Sequence, residues 1–144
     1  MCGIAGEIFP EGGLTGERAH DAQNALKRRG PDQNGMYLSE CAVLIHTRLA
    51  VVDIENGRQP MRLLSDGGRY VIVYNGELYN TDELRAELAA KGCRFKGHSD
   101  TEAVLNAYAV FGSDCVHHFN GIFAFAVWDE QKRRLFFARD RIGE

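Results

Sequence analysis

The stretch Ile122-Phe123-Ala124-Phe125-Ala126-Val127-Trp128 carries no charged or amide side chain, and Tyr70-Val71-Ile72-Val73-Tyr74 is polar only at its two phenol hydroxyls. A strand with one face in water alternates apolar and polar residues, whereas one that is apolar throughout is covered on both faces. Helices on either side of a parallel sheet are the usual cover. Here, however, strands follow one another through short turns and the helices come in a separate run, which favours antiparallel sheets. Two antiparallel sheets packed face to face, with helices outside, also cover both faces of each sheet. The expected fold is therefore α+β, a four-layer α-β-β-α sandwich.

The flanking segments fit that expectation. Residues 4–9 read as a strand ended by Pro10 and Glu11-Gly12-Gly13. Residues 16–29 read as a helix with Ala19, Ala22, Ala25 and Leu26 on one face, stopped by Gly30-Pro31. Short strands are expected at 35–39, 42–47 and 49–53, and Asp66-Gly67 is a hairpin signal before 70–74. Asn80 and Glu83 have N-cap spacing for a helix that buries Leu84 and Leu88 and closes at Gly92. Ser99 and Glu102 form a capping box for a second helix, with Val104, Leu105, Tyr108 and Phe111 as its apolar stripe up to Gly112. A last strand, 135–139, follows the turn 129–134. No closing element follows Asp140-Arg141-Ile142-Gly143-Glu144, so residues 1–144 are expected to be one domain that is incomplete at its C-terminus.

Composition narrows the function classes. The net charge of -3 argues against general nucleic-acid binding, which needs a basic surface. Lys27-Arg28-Arg29 and Lys132-Arg133-Arg134 are short enough to be solvated element ends. No apolar run has the length of a membrane span, and no secretory signal opens the chain. The four cysteines, Cys2, Cys41, Cys93 and Cys115, form no C-x-x-C pair, and reduced thiols in a cytoplasmic protein are the simplest reading. No phosphate-binding glycine loop is present. His20, His46, His98, His117 and His118 show no metal spacing, so no metal is expected in this domain.

Cys2 stands out by position. Removal of Met1 would leave it with a free α-amine, whose pKa of roughly 7.7–8.0 leaves a useful unprotonated fraction at neutral pH. An N-terminal cysteine then carries nucleophile and base on one residue. The competing reading is a small packing residue at the start of a strand.

The surrounding wording decides between them. Met1-Cys2-Gly3-Ile4-Ala5-Gly6 resembles the start of the class II (N-terminal nucleophile) glutamine amidotransferases. Arg28-Arg29-Gly30-Pro31-Asp32, His46-Thr47-Arg48-Leu49-Ala50-Val51-Val52-Asp53 and Gln59-Pro60 follow in order. So do Asn75-Gly76-Glu77-Leu78-Tyr79-Asn80, Ser99-Asp100-Thr101-Glu102, Asn120-Gly121-Ile122-Phe123-Ala124-Phe125 and Ala138-Arg139-Asp140-Arg141. In combination they resemble glutamine-hydrolysing asparagine synthetase, and the resemblance runs from residue 1 to residue 144.

That resemblance implies an Ntn-hydrolase-like fold and a glutaminase activity: Cys2 attacks the side-chain amide of glutamine, ammonia leaves, and water hydrolyses the thioester. It implies Arg48 on the substrate α-carboxylate and Leu49, Ala50, Val51 and Val52 along the pocket. Glu77 and Asp100 would hold the α-ammonium, and Asn75 and Gly76 the oxyanion. Three of these have a plainer alternative: a surface arginine after a strand for Arg48, helix capping for Asp100, a bare Asn-Gly turn for residues 75 and 76. Arg28–Asp32 should shape the pocket through a contact the sequence does not specify.

As part of a carbon–nitrogen ligase of asparagine biosynthesis, the ammonia would pass in cis to a synthetase domain using ATP and Mg, none of which this chain carries. A homodimer is compatible with the full-length pattern, and neither nucleic acid nor membrane is an expected partner. The rivals are an amidotransferase serving an amino sugar or a peptide, and a non-catalytic sandwich that binds a ligand without turnover.

Overall fold

The computed structural model describes residues 2–9, 16–49 and 57–143. Along the chain run β1 (Gly3–Ile8), α1 (Gly16–Leu26), β2 (Gln33–Leu38), β3 (Ala42–Arg48), β4 (Met61–Ser65) and β5 (Gly68–Leu78). Then come α2 (Thr81–Ala90), α3 (Asp100–Phe111), a 3-10 helix (Gly112–His118), β6 (Gly121–Asp129) and β7 (Arg134–Arg139). The class is α+β, with two antiparallel sheets and, among the described residues, three α-helices. One sheet has the order β1-β3-β2 and the other β4-β5-β6-β7.

The continuously apolar strands are the central ones, as their composition requires. In β5, Tyr70, Ile72, Tyr74 and Leu78 pack with Leu84 and Leu88 of α2 and Val104, Leu105 and Tyr108 of α3. Val71 and Val73, on the opposite face, meet Ala42 and Leu44 of β3, Tyr37 and Trp128. On the far side of β3, Val43 and Ile45 pack against Ala19, Ala22 and Leu26 of α1. Alternation along each strand thus feeds three separate apolar clusters.

Several local expectations change. The strand β4 was not signalled by its sequence. It is a short edge strand with Arg62 and Leu64 exposed, and it pairs with β5 only because Asp66-Gly67 folds it back, Ser65 facing Gly68. The strand expected at 49–53 is not seen at Leu49, which follows the end of β3, and residues 50–53 lie outside the described residues. The helix expected to run to residue 29 ends at Leu26, whose carbonyl accepts from the Thr47 hydroxyl at 3.0 Å, satisfying one of the orphan acceptors of a helix end.

Asn80 precedes α2 without capping it. Its side chain instead donates to His118 O and accepts from Asn120 N, both at 2.9 Å, tying the helix start to the 3-10 turn. Ser99 caps α3 through Glu102 N at 3.4 Å, but the Glu102 carboxylate completes no box. It accepts from Lys96 N and Gly97 N in the preceding loop at 2.7 and 2.9 Å.

Candidate active site

The facing surfaces of the two sheets change character at one end. On β3 the inward residues run Ala42, Leu44, His46, Arg48; on β5 they run Val71, Val73, Asn75, Glu77. Both faces turn from apolar to polar in the same direction. Beyond the apolar layer they open into a cavity of about 570 Å³ lined by Cys2, Arg48, Leu49, Asn75, Glu77 and Asp100 among others. That volume is in the usual range for a small-molecule site.

Register places Cys2. Gly3 pairs with Thr47, so Cys2, one residue back, stands beside Arg48. Its thiol points to the Leu49 carbonyl at 3.8 Å, and its own carbonyl accepts from Arg29 Nε at 3.2 Å. This is the contact the sequence left unspecified for the Arg28–Asp32 stretch. Asp32 N also donates to Arg48 O at 3.0 Å, and Gly30 packs so tightly on the Thr47 backbone that a Cβ there would overlap it.

Arg48 is not a surface arginine. It is the last residue of the central strand of its sheet, 5% exposed, and Nη1 donates to Gln33 Oε1 at 2.9 Å. Gln33 is its register partner on β2, so strand pairing holds the guanidinium from one side while Cys2 lies on the other.

Asn75-Gly76 is not a turn either. Both residues lie inside β5, opposite Ala124 and Phe123 of β6. Glycine is needed at 76 because an added Cβ would collide with the Ile122 carbonyl and lie 2.7 Å from Phe123 Cα, a constraint set by β6 and not by a ligand.

The backbone of β5 alternates between its two edges. Tyr79 N donates to Asn120 O on the β6 side. Tyr74 N and Leu78 N donate on the other side, to Gln59 Oε1 at 2.6 Å and Asp100 Oδ2 at 2.8 Å. Gly76 N–H faces that same side, past the end of β4, with no partner among the described residues.

Asp100 has the helix-start position of its plainer reading, as the first residue of α3 behind the Ser99 cap, and also faces the cavity. Its Oδ1 accepts from Thr81 Oγ1 at 2.8 Å, so the carboxylate joins α2, α3 and β5. Glu77 is exposed on the cavity wall. Ala50, Val51 and Val52, expected along the pocket, lie outside the described residues.

Two participants, Thr81 and Tyr74, escaped the sequence reading, and a third, Gln59, was marked there without a role. Thr81 holds Asp100 in place. Gln59 grips β5. Tyr74 lines the cavity 4% exposed, its hydroxyl without a hydrogen-bond partner among the described residues. Burial pushes that phenol far above its ordinary range, and the Asp100 and Glu77 carboxylates push it the same way. None of the three has a signal in sequence spacing, because each acts across elements remote in the chain. Among the described residues no three His, Cys, Asp or Glu side chains gather as a metal site.

The family model described as a glutamine amidotransferase domain matches residues 1–144. The chain is 50% identical over 145 residues to asparagine synthetase [glutamine-hydrolyzing] 3 of Bacillus subtilis (strain 168), covering 99% of this chain and 24% of that protein. It is 41% identical over 146 residues to a probable asparagine synthetase [glutamine-hydrolyzing] of Dictyostelium discoideum, covering 99% of this chain and 26% of that one. The chain thus spans about a quarter of the length of these curated relatives. Among solved structures, the glutamine phosphoribosylpyrophosphate amidotransferase of B. subtilis superposes with a TM-score of 0.59 at 23% identity, over 73% of this chain and 24% of that one, a likeness of fold.

Proposed function

The chain belongs to the glutamine amidotransferase family, and from that membership we propose that it hydrolyses the side-chain amide of glutamine through Cys2. The observation that carries this reading is the convergence of Cys2, Arg48, Asn75, Glu77 and Asp100 on one cavity between the sheets.

With Met1 removed, the α-amine of Cys2 takes the thiol proton and the sulfur attacks the amide carbon. The oxyanion meets the Asn75 amide and the Gly76 N–H, donors fixed before the reaction begins. The same amine then gives its proton to the leaving nitrogen, ammonia departs, and water cleaves the thioester to release glutamate. Arg48 takes the α-carboxylate with a planar fork that lysine lacks. Glu77 and Asp100 take the α-ammonium, with Leu49, Ala50, Val51 and Val52 along the pocket. The three apolar clusters support an Ntn-hydrolase-like α-β-β-α sandwich as the frame.

The relatives' names support a finer reading, in which residues 1–144 are the glutaminase part of an asparagine synthetase and deliver ammonia for amination of aspartate. ATP and Mg would belong to the synthetase part. The residues described here offer neither a phosphate loop nor a cluster of metal-ligating side chains, and no step of the glutaminase reaction needs them. No described helix is long and apolar enough to cross a membrane, and the four free thiols suit the reducing cytoplasm.

The test is intact-mass measurement together with glutamate release from glutamine. Loss of Met1 and abolition of turnover in Cys2→Ala are expected. A protein that keeps Met1, or whose Cys2→Ala variant releases glutamate undiminished, overturns the mechanism.

A further inference from the structure

Gln59 belongs to the Gln59-Pro60 pair that the sequence resemblance marks but to which no role has yet fallen. Its position follows from strand register. Met61 pairs with Ile72 at the start of β4, so continuing that ladder two residues back brings Gln59 opposite Tyr74. The backbone does not continue it. The Gln59 carbonyl turns instead toward β2 of the other sheet, packing so closely on Gly35 that a Cβ there would collide with it.

The side chain takes over the ladder. A carboxamide carries one acceptor and two donors, like the C=O and N–H of a peptide with one donor to spare. Gln59 Oε1 accepts from Tyr74 N at 2.6 Å and Nε2 donates to Tyr74 O at 3.1 Å, the two bonds a strand residue would make there. The spare donor reaches Thr101 Oγ1 at 3.1 Å, in the first turn of α3 beside Asp100. The second lone pair of Tyr74 O is used by His46 Nε2 at 3.2 Å. The Tyr74 carbonyl, before Asn75, is therefore held by Gln59 from the open edge of β5 and by His46 from the facing sheet, and the Leu78 N–H is held by Asp100 on the Gln59 side. Gly76 N–H lies between these two anchors.

We propose that Gln59 is a positioning residue for the oxyanion donors: its carboxamide substitutes for the missing strand residue opposite Tyr74 and so fixes where the Asn75 side chain and the Gly76 N–H point. The role rests on the glutaminase reading above. It differs from substrate binding, because Gln59 acts on the backbone of β5, and from general stability, because its bonds lie next to the donors. Displacing such donors by a fraction of an ångström weakens transition-state stabilisation and leaves ground-state binding nearly intact.

Two variants test it in the purified protein. Gln59→Met keeps the length of the side chain and removes all three bonds. Gln59→Glu keeps the acceptor for Tyr74 N and removes both donors. The expected result for Gln59→Met is a fall in kcat of about 10- to 100-fold with KM for glutamine changed by less than about threefold. Affinity for the γ-aldehyde analogue of glutamine, whose adduct with a thiolate bears an oxyanion, should fall by the same factor as kcat. Gln59→Glu sets a carboxylate oxygen against the Tyr74 carbonyl and should lose at least as much kcat as Gln59→Met, and it carries the test if Gln59→Met does not fold. Unchanged kcat and aldehyde affinity in a folded variant, or a rise in KM alone, overturns the role. If the wild-type protein turns over glutamine and only the Gln59 effects are missing, the glutaminase reading stands; if the wild type releases no glutamate, that reading fails first.

Discussion

Leu78 donates its N–H to Oδ2 of Asp100 at 2.8 Å, which joins the end of β5 to the start of α3. Oδ1 of the same carboxylate accepts from Thr81 Oγ1 at 2.8 Å, so two of its bonds are structural while it also faces the cavity. In Asp100→Asn the shape survives and the charge is lost. A hydrogen bond to a charged acceptor contributes about 1.5–3 kcal/mol, of which the neutral amide retains part. We expect a stability loss of about 1 kcal/mol by urea titration and a rise in KM for glutamine of about tenfold with a smaller change in kcat. A drop in kcat at unchanged KM would remove Asp100 from the ammonium site.

Arg48 offers a cleaner separation of binding from folding. Its guanidinium is buried, bonded to Gln33 Oε1 at 2.9 Å, and beside Cys2 by register. Lysine in its place keeps the charge and loses the fork. For Arg48→Lys we expect KM to rise about 10- to 100-fold, equivalent to about 1.4–2.8 kcal/mol. Glutamine analogues lacking the α-carboxylate should lose their handicap in the variant. Equal discrimination by both proteins would show that Arg48 does not bind that group.

Much of this site is legible in the sequence because its residues come in local words: Arg48 at a strand end, Asn75-Gly76-Glu77 within one strand, Ser99-Asp100 at a helix start. The central strands β5 and β6 were legible for a related reason: Tyr70–Tyr74 of β5 is buried on both faces, and β6 buries Phe123, Phe125 and Val127 on one face while Ala124 and Ala126 on the other are partly buried, which leaves no polar position in either run. What could not be read is pairing across the chain. Nothing near Gln59 announces Tyr74, Thr81 carries no mark of Asp100, and Arg29 carries none of the Cys2 carbonyl. Asn80 has the right spacing for a cap, yet the His118 and Asn120 backbones compete for its side chain and win. The resemblance placed Gly76 at the oxyanion, but nothing in the sequence showed that the packing of β6 against it also requires a glycine there.

The thiols make a chemical prediction. Cys115 is fully buried and desolvation pushes it up to about 12, Cys93 is also pushed up by burial, and Cys41 is buried. Cys2 is partly exposed on the cavity. Since the thiolate is the reactive form, alkylation by iodoacetamide near neutral pH should reach Cys2 first and leave Cys115 unmodified in the folded protein. Glutamine should protect Cys2. Peptide mapping over time measures both effects, and labelling of Cys115 ahead of Cys2 would contradict the burial order.

His46 makes the stability of the fold depend on pH. It is 1% exposed between the sheets, and burial lowers its pKa from 6.5 to about 4, with the nearby Arg48 charge acting in the same direction. Neutral at pH 7, the ring donates from Nε2 to Tyr74 O, which fixes its tautomer. Above pH 6.5 neither the folded nor the unfolded chain protonates it, so His46 takes nothing from stability. As the pH falls from 6.5 toward 4, the unfolded chain binds a proton that the folded protein refuses, and stability is lost; below that range both states are protonated and the loss levels off. The full effect is about 3 kcal/mol. His46→Gln keeps an N–H donor for Tyr74 O and cannot titrate. Its stability at pH 7 should be lower, since a well-packed ring is lost. Its further loss between pH 7.5 and 4.5 should be smaller than that of the wild type by about 2–3 kcal/mol, the carboxylates being common to both proteins. An equal further loss in the two proteins would show that the folded protein protonates His46 as readily as the unfolded chain does.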